Sequence, residues 1–123
     1  MAFTEEEIKK YSKKIEDYIE KIRPKEDLRS KVDISYKIER QSIIIFEIRE
    51  NMSKKKYESP IAKTTYIHKE NIWKIYWMRA DSKWHSYEPK EEVKTLDTFI
   101  KTVEEDKYCC FWGWYKYIKY EEI

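Results

Sequence analysis

The sequence predicts an α+β domain, with an N-terminal helix, a five-stranded antiparallel β-meander, a C-terminal helix and an aromatic tail. Three observations carry that expectation. Apolar residues recur at helical spacing behind a capping box near the start. Between Lys31 and Tyr87 the apolar period changes to two, in runs broken by turn-forming residues. A second helical stripe then runs from Val93 to Val103.

The first helix starts at Thr4, which with Glu7 three residues on makes a capping box, and Phe3 is placed to staple against Ile8. Ile8, Tyr11, Ile15, Tyr18, Ile19 and Ile22 form its apolar stripe, lysines and glutamates fill the opposite face, and Pro24 stops it. Val32, Ile34, Tyr36 and Ile38 then alternate with polar residues, as in a strand with one face buried, and a turn near Arg40 and Gln41 leads back. Ser42–Glu50 begins apolar on both faces and is expected at the centre of the sheet, with Glu47 and Arg49 emerging together at its far end. Asn51 to Ser59, with three successive lysines from Lys54 to Lys56, reads as an exposed mobile loop, and Pro60 as an edge or strand start. Three more strands are expected, at Ile61–Ile67, Ile72–Arg79 and Trp84–Tyr87, joined by turns at His68–Asn71 and Ala80–Lys83. Pro89, Glu91 and Glu92 are expected to open the second helix, whose stripe is Val93, Leu96, Phe99, Ile100 and Val103 and which ends near Asp106.

Composition excludes more chemistry than it suggests. At 123 residues the chain is one domain's length. Charged residues make up 41%, against about 25% in ordinary soluble domains, yet aromatic residues at 16% argue against disorder. A single glycine excludes glycine-rich phosphate cradles. The net charge of +2 demands no polyanionic partner, although the middle sixty residues carry +5 and the C-terminal third −3. Cys109 and Cys110 are adjacent, which rules out a disulfide framework, and they read as small apolar residues near the end of the second helix. With only His68 and His85 beside them, neither a zinc site nor another cofactor is expected. No apolar run approaches the ~18 residues of a membrane span. The start, MAFTEEEIKKY, is unlike a secretory signal, so a cytoplasmic protein without a membrane partner is expected.

A string of residues across the chain carries a resemblance. Glu47-Ile-Arg49, Ala62-Lys63 with Tyr66, then Trp73, Trp77, Arg79, Asp81, Trp84 and Tyr87, and finally Phe111-Trp112-Gly113 are similar to the motifs of a small bacterial family numbered 3024 among the domains of unknown function. The likeness runs from about Glu6 to Gly113 and departs at Glu50, where the family pattern has proline. It implies a single domain over residues 1–113 and an aromatic C-terminal extension over 114–123, and it implies no reaction.

The candidate site is the sheet face that two helices would leave open. Arg49, Lys63 and Arg79 are its expected anion contacts, Trp77, Trp84 and Tyr87 its stacking or packing groups, and Glu47 and Asp81 its orienting acids. Cations interleaved with aromatic rings suit a phosphate backbone and unstacked bases, so nucleic acid or another anionic ligand is the first expectation, with Lys54, Lys55 and Lys56 as a basic arm. The structural alternative is cross-strand ion pairing of the same charges. A second functional reading is protein interaction, including a homodimer through the sheet or the tail, because Trp114–Ile123 alternates like an added strand. A third is metal-dependent phosphodiester hydrolysis by Glu47 and Asp81 with Lys63 and His85.

Overall fold

Helix α1 spans Glu5–Ile22 and begins as the capping box dictates: Thr4 Oγ1 accepts the Glu7 N–H at 3.2 Å and Glu7 Oε1 accepts the Thr4 N–H at 2.9 Å. In the computed structural model, which describes residues 2–113, this helix and the rest of the α+β architecture follow the expected order. The staple differs. Phe3 N–H donates to Arg40 O at 3.2 Å, which turns the ring toward the sheet, onto Tyr11 (5.0 Å between centroids) and Trp73 (5.8 Å), while Ile8 is 39% exposed.

Strands β1 (Val32–Glu39), β2 (Ser42–Glu50), β3 (Lys56–Ile67), β4 (Ile72–Met78) and β5 (Trp84–Ser86) form an antiparallel sheet in sequence order. Arg40, Lys54, Asn71 and Ser82 take left-handed φ values of 55°, 61°, 54° and 63° in the turns between them. The loop expected to reach Ser59 is a short turn over residues 51–55. Asn51 Oδ1 accepts the N–H groups of Ser53 and Lys55, so β3 can start at Lys56. Pro60 therefore lies inside β3, opposite Phe46. It is tolerated because β4 pairs β3 only from Ala62 onward, leaving an open edge where its missing N–H costs nothing. The register shifts here: Ile45 faces Ala62 and Phe46 faces Pro60, so Ile61 is the extra residue, and it joins the core.

The second helix starts later than expected. Pro89 sits in a 3-10 turn (Glu88–Lys90), and Glu92–Val93 forms a sixth strand, β6, beside Trp73 and Lys74 of β4. Glu91 O accepts the Ile75 N–H at 3.0 Å, so this segment satisfies the outer edge of β4 beyond the reach of β5. Helix α2 is Leu96–Glu105, capped by Thr95, whose Oγ1 accepts the Thr98 N–H at 3.1 Å. Both helices lie on one face of the sheet. Ile15, Tyr18 and Ile19 of α1 and Leu96, Phe99 and Val103 of α2 close over Ile34, Ile43, Ile45, Ala62, Trp73 and Ile75. The expected extension over residues 114–123 lies outside the described residues.

Candidate functional site

Strand register divides the expected site between two faces. Directly paired residues share a face. Glu47 opposite Ile34, Arg49 opposite Val32, and Trp77 opposite Ala62 therefore lie on the helix-covered side, where Tyr87 is also buried. Lys63 opposite Tyr76, and Trp84 opposite Met78, lie on the other. Arg79 belongs with the first group: its guanidinium carbon stands 5.4 Å from the centre of the Trp77 ring. Asp81 lies in the β4–β5 turn, where its carboxylate accepts the Lys83 N–H at 3.0 Å and meets His85 Nε2 at 2.8 Å. The hydrogen bond from His85 holds the Asp81 carboxyl below the ordinary carboxylate range.

The helix-side group surrounds a loop that sequence reasoning missed. Asp106 ends α2 in a left-handed conformation (φ 41°, ψ 51°) and is fully buried. Its Oδ1 accepts the Phe111 N–H at 3.0 Å, and its Oδ2 accepts those of Trp112 and Gly113 at 2.8 and 3.1 Å. One carboxylate thus folds residues 106–113 back on themselves, pressing Phe111 onto Tyr87 at 4.7 Å between centroids and packing the Trp112 side chain against the core. Burial pushes the Tyr87 hydroxyl up to about 12. The adjacent cysteines are corrected from a helix end to this loop: Cys109 is exposed at φ 58°, and burial raises the half-buried Cys110 thiol. Between the loop, the end of β2 and the start of β3 lies a groove of about 550 Å³. Glu47, only 7% exposed, lies in it, and Arg49 spans its carboxylate with bonds of 3.1 and 3.2 Å.

The opposite face carries no helix among the described residues, yet Ile44 and Phe46 are buried there. A long cationic side chain covers Phe46. Lys37 Nζ stands 5.6 Å from the Phe46 ring centre and is neutralised by Glu58 at 3.0 Å and Glu39 at 3.6 Å. Toward β4 and β5 the pattern changes. Lys63 Nζ lies 5.7 Å from the Tyr76 ring and 5.9 Å from the Trp84 ring, and Lys74 is exposed on the same face. One half of this face is ion-paired, and the other is aromatic and basic.

The family model described as a domain of unknown function, DUF3024, matches residues 3–113. The chain belongs to this family. No curated protein and no solved structure gives a significant match. Much of the expected string has a structural role in the DUF3024 domain. Trp73, Tyr66 and Phe3 form one aromatic cluster, and Tyr87 and Phe111 a second. Glu47 and Arg49 hold each other as neighbours on one strand, whereas the sequence suggested cross-strand pairs. Tyr76, Lys74 and Lys37 belong to the uncovered face and are not among the expected site residues. Their parity on alternating strands was the available signal, and it needed the register to become useful. Among the described residues no three His, Cys, Asp or Glu side chains gather as metal ligands; Glu47 is engaged by Arg49 and Asp81 by His85. No helix among the described residues is long and apolar enough to cross a membrane.

Proposed function

We propose that the DUF3024 domain is a binding module that takes single-stranded nucleic acid on the aromatic and basic half of its uncovered sheet face. The observation that supports this reading is Lys63, set against the rings of Tyr76 and Trp84 on a surface free of helices among the described residues. Lys63 offers a phosphate a cation, and as it turns from the rings to that phosphate the two half-exposed rings offer unstacked bases a platform. Stacking of that kind contributes about 1–3 kcal/mol per base. Thr65 and Ser86 add hydroxyls on the same face, and Lys74 a second cation. The residues proposed to bind are thus Lys63, Lys74, Tyr76 and Trp84, in place of the wider set with Arg49, Arg79, Trp77 and Tyr87.

The test is tryptophan fluorescence of the full chain titrated with oligo-dT and oligo-U at about 50 and 200 mM salt, a range over which released counterions reveal phosphate contacts. Quenching is expected at low salt, weaker at high salt, and at least tenfold weaker in Lys63→Glu. Arg79→Ala keeps wild-type affinity, because its guanidinium stacks on Trp77 on the other side of the sheet. Absence of quenching at low salt overturns the proposal, as does quenching that Lys63→Glu leaves unchanged.

A further inference from the structure

We propose that the outer edge of β1 is an interface for a second copy of this chain, paired antiparallel about a two-fold axis through Ser35. Among the described residues β1 is a terminal strand of eight residues with no strand on its outer side, and it contains no proline. Such an edge presents unpaired backbone groups to any chain of matching pattern. The N–H of Ile34 points to this edge, since it donates to Asp33 Oδ1 at 2.8 Å and not across to β2. Alternation gives Val32, Tyr36 and Ile38 the same outward direction.

That parity limits how two copies can meet. Outward-directed residues must face each other, so a two-fold axis near the strand's centre passes through Ile34, Ser35 or Tyr36. Charge selects among these, chiefly through Lys31 and Glu39, since Asp33 already holds Arg23 and Lys37 already holds Glu58. With Ile34 on the axis, Lys31 meets Lys37 of the second copy; with Tyr36 on the axis, Asp33 meets Glu39. Only the Ser35 axis sets Asp33 opposite Lys37 and Lys31 opposite Glu39, each pair occurring twice by symmetry. The other face then aligns Ile34 with Tyr36 and Val32 with Ile38, so apolar residues meet apolar residues. A cleft of about 230 Å³ borders the middle of this edge, lined by Ile34, Ser35 and Tyr36 of the strand and by Glu16 and Arg23 of the helix side. Asp33 lines the same cleft, so the Arg23–Asp33 pair borders the place where the axis passes. On pairing, the Ile34 N–H exchanges Asp33 for the Tyr36 carbonyl of the second copy, and Asp33 keeps its two bonds to Arg23 at 2.9 and 2.8 Å.

One strand against one strand falls at the small end of interface sizes, below about 1,200 Å², so association belongs to the upper part of an accessible concentration range. Analytical ultracentrifugation of the full chain over about 10 μM to 1 mM, a span that captures weak dimers, should show mass rising from 15.4 kDa toward twice that value. Lys31→Glu and Glu39→Lys are both at exposed positions and leave the fold intact, checked by circular dichroism. Each places like charges opposite one another twice and is expected to weaken association roughly tenfold. The double exchange restores it. An equimolar mixture of the two single variants also restores it, because the two acids at positions 31 and 39 of one meet the two lysines at those positions of the other. A monomer at every concentration overturns the proposal; so does a dimer indifferent to the single variants, or single variants that the mixture fails to rescue.

Discussion

Asp106 shows how one side chain sets the position of several others. Its carboxylate is the acceptor for three successive backbone N–H groups, of which that of Phe111 is buried and those of Trp112 and Gly113 are partly so. Hydrogen bonds to a charged group contribute about 1.5–3 kcal/mol each, and leaving a buried donor unmade costs the full desolvation of that donor. Asp106→Ala is therefore expected to lower unfolding free energy by about 3 kcal/mol or more, measured by urea denaturation, and to release Phe111 from Tyr87. Asp106→Asn keeps the size and tolerates the left-handed backbone, but it turns an NH2 group toward donors, so it falls between the two. A variant as stable as wild type would show that the loop is held by its rings alone.

At the scale of elements, α1 is fixed at its start by local chemistry and at its end by the sheet. The Thr4–Glu7 box satisfies two orphan N–H groups, and the residue before it, Phe3, joins the Trp73 cluster. Thr4→Ala is expected to cost about 1 kcal/mol, read as a lower thermal midpoint together with a red shift of Trp73 emission as Phe3 loosens. A stability loss without the red shift would separate the cap from the aromatic cluster. The opposite end is tied by Arg23, which bonds Asp33 of β1 through two nitrogens and Glu20 through a third. β6 shows the reverse balance. Proline and two acids favour a helix start there, yet unpaired groups on β4 draw Glu92–Val93 into the sheet, and the helix begins only at Leu96.

For the whole molecule, the charged residues decide how stability responds to acid. Burial works against the charge of Asp33, but the hydrogen bonds from Arg23 and from the Ile34 N–H outweigh it and hold its carboxyl below the ordinary range. Asp81 is shifted the same way by His85. A depressed carboxyl contributes stability that is complete above its unfolded pKa, about 3.9 for Asp, and is lost as pH falls through the lower folded value. Urea midpoints are therefore expected to stay level from pH 7 to about 5 with respect to these acids and to fall below about 4. Asp33→Asn should be less stable by about 1–3 kcal/mol at neutral pH, with the gap to wild type narrowing in acid. A gap that is constant down to pH 2 would mean the Arg23–Asp33 pair is not the source.

The order of elements was legible in the sequence because each rests on a local period. The isoleucines and tyrosines of α1 and the alternation from Val32 to Ile38 specify helix and strand without reference to anything distant. The ends of elements were less legible where tertiary bonds compete with local preference, as at Lys56, Pro60 and Glu92. The site was the least legible part. Sequence shows that Glu47 and Arg49 share a face and that Lys63 and Trp84 fall on strands with one other strand between them, but a shift of one residue turns a side chain from one face to the other. The bulge at Ile61 and the register of four strand pairs decided that Glu47, Arg49 and Trp77 lie on the helix side of the sheet while Lys63 and Trp84 lie on the other. Asp106 makes the same point from the other direction. Its type and its place after a helical stripe are plain in the chain, but three donors reach its carboxylate only after residues 106–113 have folded back onto the sheet.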